Sequence, residues 1–201
     1  MRGLYIVTPD WDDTARLLDA TRQALEGGAV LVQYRNKTAS AALREEQAGA
    51  LLALCRRHER PLVINDHVDL CLRLDADGVH VGGTDAQVAD VRTALGPGKI
   101  VGASCYGEYG LAEAAQEAGA SYVAFGGFYP SRVKVYEVST DPGIVARAKA
   151  GLRVPVVVIG GMTVENARPL VDHGADMVAA ISSVYAVADP RTAAQEFAAL
   201  F

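Results

Sequence analysis

Arg35 and Lys37 stand two residues apart in Gln33-Tyr34-Arg35-Asn36-Lys37, at the end of a short apolar run. An arginine offers a planar fork of donors and a lysine a compact point charge, so the pair suits a diphosphate clamp. Taken alone, the segment reads equally well as a solvated basic turn. Asn65-Asp66 directly follows Val63-Ile64, and Asp85 closes the stretch His80-Val81-Gly82-Gly83-Thr84-Asp85. Two carboxylates at one mouth, completed by phosphate oxygens and waters, make an octahedral Mg2+ site. Each aspartate could instead cap the helix that follows it. Together with Arg35 and Lys37, the metal site is the better reading.

Further along, Ser104 ends Gly102-Ala103-Ser104, where a turn residue is the plain alternative. The loop Gly126-Gly127-Phe128-Tyr129-Pro130-Ser131-Arg132-Val133-Lys134 combines flexible backbone, a hydroxyl and two cations, a mixture suited to closing over bound phosphate. Gly160-Gly161 and Ile181-Ser182-Ser183 follow two later apolar runs. Glycines let backbone N–H groups approach an anion closely, and this pair of positions forms a phosphate cradle in many eight-stranded barrels.

These residues need elements to carry them. Short apolar runs recur at Leu4–Thr8, Leu31–Tyr34, Leu62–Asn65, Gly78–Val81, Ile100–Ser104, Tyr122–Phe125, Val156–Ile159 and Met177–Ala180. They are rich in Val, Ile and Tyr without strict polar alternation, as parallel strands buried on both faces should be. Amphipathic stretches lie between them at 12–26, 39–58, 108–118, 163–173 and 190–200. The first should bury Ala15, Leu18, Ala24 and Leu25, and the second Leu43, Leu51, Leu54 and Cys55. Glu26-Gly27-Gly28-Ala29, Glu117-Ala118-Gly119-Ala120 and Asp172-His173-Gly174-Ala175 punctuate helix ends, with left-handed caps expected at Gly27, Gly119 and Gly174. Eight evenly spaced strand–helix units favour a single-domain (β/α)8 TIM barrel spanning 1–201 over an open doubly wound sheet. All the polar outliers above then fall at the carboxyl ends of strands, where such barrels keep their chemistry.

Half of the 201 residues are hydrophobic and 21% are charged, which excludes a disordered chain. A net charge of -5 argues against nucleic acid as a partner while leaving room for a small anion. Cys55, Cys71 and Cys105 have neither disulfide nor metal-ligand spacing and read as buried free thiols. The apolar run near the N-terminus is too short for a signal-peptide core, and no stretch is long enough to span a membrane. A cytoplasmic protein is expected, with no membrane partner and with self-association left open.

In order and spacing, several segments together resemble the thiamine phosphate synthase family along nearly the whole chain. They are Leu4-Tyr5-Ile6-Val7-Thr8, Gln33-Tyr34-Arg35-Asn36-Lys37, Ile64-Asn65-Asp66-His67-Val68-Asp69-Leu70, Asp77-Gly78-Val79-His80-Val81-Gly82, Phe125-Gly126 with Pro130-Ser131, and Val158-Ile159-Gly160-Gly161. The resemblance implies condensation of hydroxymethylpyrimidine diphosphate with a thiazole phosphate, by a dissociative, Mg2+-assisted route that releases pyrophosphate. It implies that Gln33 and Ser104 contact the pyrimidine, that Arg35, Lys37, Asn65 and Lys134 bind diphosphate, and that Asp66 and Asp85 hold the metal. Ser131, Gly161, Ile181 and Ser182 would cradle the thiazole phosphate. Tyr34, Asn36, Arg132 and Val133 count with the substrate-binding positions, and Arg35, Lys37, Lys134 and Ser104 with the catalytic ones.

Two departures stand out. Val133 lacks the hydroxyl that the family often carries near this position, and Asn36 stands where acidic residues are common. Three other readings remain open: a thiazole tautomerase on the same fold, a non-catalytic phosphate- or thiamine-binding regulator, and a phosphosugar isomerase by fold analogy alone. Retention of Arg35, Lys37, Asn65, Asp66 and Asp85 together favours the synthase. His80, inside Gly78-Val79-His80-Val81, is expected to be a packed barrel residue hydrogen-bonded near the site. His58 and His173 read as surface helix residues.

Overall fold

The computed structural model describes residues 1–82, 88–130 and 140–201. Eight strands form a closed barrel: Gly3–Val7 (β1), Leu31–Tyr34 (β2), Leu62–Asn65 (β3), Gly78–Val81 (β4), Ile100–Tyr106 (β5), Tyr122–Gly126 (β6), Val156–Ile159 (β7) and Met177–Ala180 (β8). Each pairs in parallel with its sequence neighbours, and β1 closes on β8. Between them run Thr14–Glu26 (α1), Ala41–Arg57 (α2), Val68–Leu74 (α3), Val88–Leu95 (α4), Tyr109–Glu117 (α5), Gly143–Gly151 (α6), Val164–Asp172 (α7) and Ser182–Tyr185 (α8), followed by Pro190–Ala198 (α9). The expected barrel is the one observed. Closure leaves no strand edge, which suits strands this rich in apolar side chains.

Helix starts follow local chemistry. Asp13, Ser40 and Asp189 accept backbone N–H groups in the first turns of α1, α2 and α9. Thr163 and Asn166 form a reciprocal capping box at α7. At the other end, the three glycine motifs repeat one geometry. The N–H groups of Ala29, Ala120 and Ala175 reach back to Ala24, Ala115 and Leu170, with Gly28, Gly119 and Gly174 at φ +105°, +94° and +104°. These are Schellman caps, which need the left-handed backbone that glycine adopts without strain.

The expectation for Gly27 is therefore corrected by one residue: its φ is -78°, and Gly28 takes the left-handed role. Gly27 is small for a different reason. A Cβ there would lie 2.5 Å from the Arg191 carbonyl oxygen, so its absence lets α9 pack on α1. The buried face of α1 also differs from expectation: Leu17, Ala20 and Thr21 are buried with Ala24 and Leu25, whereas Ala15 is exposed and Leu18 only half-buried.

Two apolar layers result. Outward-facing strand residues such as Leu4, Ile6, Val32, Ile64 and Val123 pack against the helices in the larger one. The smaller fills the lumen with Tyr5, Val7, Leu31, Val63, Tyr122, Ala124, Val157, Met177 and Ala179. Side chains just before even-numbered strands stitch the amino-terminal rim. Asp77 Oδ2 accepts the Leu62 N–H at 2.8 Å, Ser121 Oγ the Val101 N–H at 3.1 Å, and Asp176 Oδ2 the Val156 N–H at 2.9 Å. That rim is committed to stability, and the opposite rim is free for chemistry.

Candidate active site

A cavity of about 650 Å³ opens at the carboxyl ends of the strands. That is ample for a drug-sized or cofactor-sized molecule. Its wall includes Gln33, Arg35, Lys37, Asn65, Asp66, Ser104, Gly161, Ile181 and Ser182, so these expected site residues meet in one place. Asp85 and Ser131, Arg132, Val133 and Lys134 lie outside the described residues.

Arg35 is aimed by a residue that the sequence analysis did not single out. Its Nη1 donates to Asp10 Oδ1 and Oδ2 at 3.0 and 3.1 Å, and Asp10 Oδ1 also accepts the Lys37 backbone N–H at 2.9 Å. Thr8 Oγ1 contacts the Arg35 N–H and carbonyl, both at 2.8 Å, tying the β1 and β2 exits together. The only sequence signal for Asp10 was a carboxylate shortly after a strand, and Asp12 and Asp13 beside it share that signal.

Tyr34 and Asn36 do not face the main cavity. The Tyr34 hydroxyl donates to Gln47 Oε1 at 2.9 Å, and burial pushes its own ionisation up to about 12. Asn36 is buried; its Nδ2 donates to the Trp11 carbonyl at 3.1 Å, and its Oδ1 accepts the Thr38 and Ala39 N–H groups at 3.2 and 3.1 Å. Both shape the β2 exit loop from behind, against a smaller recess of about 340 Å³ that also touches Lys37, Arg44 and His67.

Asp66 does not cap α3. The capping position belongs to His67, which makes no side-chain cap bond. Asp66 has φ 62°, a left-handed backbone uncommon outside glycine, and its N–H donates to the His80 carbonyl at 3.0 Å. Its Oδ2 accepts Asn65 Nδ2 at 2.5 Å and lies 3.8 Å from Lys37 Nζ. The strand-end bend thus presents a half-buried carboxylate to the cavity wall rather than to a helix.

On the far side, Gly160 and Gly161 turn the chain after β7 with φ +109° and +63°. A Cβ on Gly161 would run into the Pro130 carbonyl. Ile181 and Ser182 begin α8, where the Val184 and Tyr185 N–H groups turn back onto the Ile181 carbonyl at 3.1 and 2.9 Å. Strand β5 continues past its expected end to Tyr106, with a register shift between Ser104 and Tyr106. The cysteines are inert: burial raises the Cys55, Cys71 and Cys105 thiols to about 12, 11 and 12. None lines the cavity.

Beneath these groups, the lumen is bridged by hydroxyls and an imidazole. Gln33 Nε2 donates to the Tyr5 hydroxyl at 2.5 Å, and Tyr5 and Tyr122 hydroxyls lie 2.7 Å apart. His80 Nδ1 is 2.9 Å from the Tyr122 hydroxyl, and His80 Nε2 is 2.9 Å from Ser104 Oγ. The His80 and Tyr122 rings stack 5.6 Å apart. His80 is therefore a packed, hydrogen-bonded barrel residue beside the site, as its position implied. In sequence, Tyr5 and Tyr122 stood out only as members of apolar runs read as strands.

The thiamine monophosphate synthase family model matches residues 4–184. The chain belongs to the thiamine monophosphate synthase family. Members are transferases of thiamine biosynthesis. A thiamine-phosphate synthase of Janthinobacterium sp. (strain Marseille) is 64% identical over 100% of this chain and 97% of its own length. One from Methylobacillus flagellatus is 48% identical over 100% and 96%. The structure of a thiamine phosphate pyrophosphorylase from Pyrococcus furiosus superposes with a TM-score of 0.85 at 32% identity, covering 98% of this chain and 94% of that one. A 3-hexulose-6-phosphate synthase shares only the fold, with a TM-score of 0.72 at 20% identity.

Proposed function

We propose that this transferase condenses 4-amino-2-methyl-5-hydroxymethylpyrimidine diphosphate with a thiazole phosphate, forming thiamine phosphate and pyrophosphate. One observation carries the reading: Arg35, Lys37, Asn65 and Asp66 line the same cavity as Gly161, Ile181 and Ser182. That arrangement offers one wall to a diphosphate and another to a phosphate, so two anionic substrates can face each other.

The chemistry follows from charge. As the pyrimidine C–O bond breaks, the leaving pyrophosphate gains negative charge, and Arg35 and Lys37 stabilise that state more than the bound substrate. Asp10 holds the Arg35 fork in place beforehand, so little reorganisation is needed during reaction. The electron-rich aminopyrimidine disperses the positive charge left behind, and the thiazole nitrogen then attacks it. No protein nucleophile is required, which agrees with the three buried, protonated thiols.

The donor set also suits Mg2+, which is bound by one or two carboxylates plus substrate phosphates rather than by a protein cage. Among the described residues no group of three or more His, Cys, Asp or Glu side chains could hold a metal, whereas Asp66 presents a single hard-oxygen carboxylate at the diphosphate wall. Asp66, with Asp85, would hold the ion, which when bound would neutralise charge on the leaving diphosphate. With them, Lys134 and Ser131 would contact the two phosphates, and a cytoplasmic setting would suit the free cysteines. Among the described residues no helix is long and apolar enough to cross a membrane.

The test is pyrophosphate release with each substrate alone, both together, and both with Mg2+ removed. Release that needs both substrates and the ion, with thiamine phosphate formed in equal amount, supports the reading. Conversion of the thiazole alone, or binding without turnover, overturns it in favour of a tautomerase or a regulator.

A further inference from the structure

The five side chains bridging the lumen form an unbroken sequence of donors and acceptors, and its direction can be worked out. Gln33 Nε2 is a donor, so the Tyr5 oxygen accepts there and its proton goes to Tyr122. The Tyr122 oxygen is then already an acceptor, and its own proton must go to His80 Nδ1. That leaves His80 neutral with its proton on Nε2, donating to Ser104 Oγ. Ser104 thereby has its oxygen occupied and its hydroxyl proton available. At the other end, Gln33 has spent an amide hydrogen, and its Oε1 has no partner among the described residues. Both terminal residues line the cavity, as do Tyr5 and His80 between them, although Tyr5 and Tyr122 are at most 1% exposed.

We infer that Tyr5, Tyr122 and His80 are positioning residues that fix the hydrogen-bonding sense of the two pocket ends, Ser104 as donor and Gln33 Oε1 as acceptor. A flat heteroaromatic with an amino group towards Gln33 and an unprotonated ring nitrogen towards Ser104 satisfies both ends. An oxo analogue, with a carbonyl and a ring N–H in those places, opposes both. Reversing one end demands reversing every link, because each buried hydroxyl has a single proton to give. Discrimination between amino and oxo rings is thus stored in the proton order of the barrel core and not only in the two contacting residues. The inference rests on the pyrimidine substrate proposed above and deepens it.

Packing supports a dedicated arrangement. A Cβ on Gly102 would collide with the Tyr122 ring and hydroxyl, so the glycine on β5 makes the space through which the link passes. Burial raises the Tyr5 and Tyr122 hydroxyls far above their ordinary ionisation range, keeping both protonated.

The experiment has two readouts. Two-bond proton–nitrogen correlation spectra of histidine-labelled protein report the imidazole tautomer without turnover, with His80→Gln assigning the resonance among four histidines. The Nε2–H tautomer is expected, becoming mixed in Tyr122→Phe; an Nδ1–H tautomer in the parent protein overturns the inference. In turnover, Tyr122→Phe should raise KM for the aminopyrimidine diphosphate about tenfold, the loss of one well-made hydrogen bond, while KM for thiazole phosphate is unchanged. Its preference for the amino over the oxo substrate should shrink by a similar factor. His80→Gln, which can still donate to Ser104, should retain more of that preference than His80→Leu. Unchanged preference in Tyr122→Phe and His80→Leu also overturns it. Absence of synthase turnover in the parent protein would count against the proposed function alone, because the tautomer measurement stands without it.

Discussion

The Asp10 carboxylate and the Arg35 guanidinium meet across the β1 and β2 exits, both Asp10 oxygens within 3.1 Å of one Arg35 nitrogen. The Arg35 side chain is 14% exposed and Asp10 30%, so Arg35 stands in the cavity wall with Asp10 behind it on the more exposed side. Under the proposed function, its worth lies in aiming a cation at the diphosphate.

Asp10→Asn should therefore lower kcat/KM for the pyrimidine diphosphate by about 10- to 100-fold, the equivalent of one charge-assisted hydrogen bond. The melting temperature should barely move, since the pair is not in the core. Steady-state kinetics beside a thermal melt make the check. An unchanged kcat/KM would mean that Arg35 needs no such support.

Asp66 should be replaced by Asn rather than Ala, because Asn tolerates the left-handed φ of 62° and Ala does not. Asp66→Asn should keep the fold and lose at least about 100-fold in turnover, with a higher Mg2+ concentration for half-activation. A Mg2+ titration that overlays the parent curve would remove Asp66 from the metal assignment.

Gly161→Ala combines a positive φ with a Cβ that would run into the Pro130 carbonyl. The strain expected is about 1–3 kcal/mol, spread between stability and distortion of the β7 exit. KM for the thiazole phosphate should rise more than KM for the pyrimidine diphosphate. Equal effects on both would argue that Gly161 serves only the fold.

Alkaline pH should destabilise the protein. The Cys55 and Cys105 thiols are raised by burial from 9.0 to about 12, so the folded state holds these protons more tightly than the unfolded chain. Their contribution is complete below pH 9 and is lost as pH rises towards 12. Denaturant midpoints measured from pH 7 to 11 should fall above pH 9. A disulfide-exchange reagent at pH 8 should label no thiol rapidly until the protein is unfolded, when all three react.

The eight strands were legible because both faces of a parallel barrel are apolar, leaving runs such as Val156–Ile159 that no surface element would carry. The carboxyl-end site was legible because Arg35, Asp66 and Ser104 are polar residues at or just beyond such runs. No bounds were given for α3, α4 or α6, since seven to nine residues give too few turns for a firm periodic signal. Asp10 escaped notice because its meaning depends on a partner 25 residues away. Tyr34, counted with the substrate-binding positions, lies outside the main cavity because strand alternation sends its side chain outward to α2, while Gln33 beside it points inward. Tyr5 and Tyr122, 117 residues apart, become a pair only when the barrel closes.

That lumen pairing bears on how the protein can change over generations. Elsewhere in the fold, a methyl group gained or lost is a matter of packing alone. Between Gln33 and Ser104, by the inference above, the atoms that fill the core also set the hydrogen-bonding sense of both pocket ends, so an aliphatic layer there would harden the barrel and erase that sense. Heat-tolerant descendants should therefore keep the inner tyrosines and histidine and gather their changes outside, at places such as the strained turns at Glu59 and Asp75 or the exposed Leu72. A lineage that altered the lumen would be adapting to a different ring.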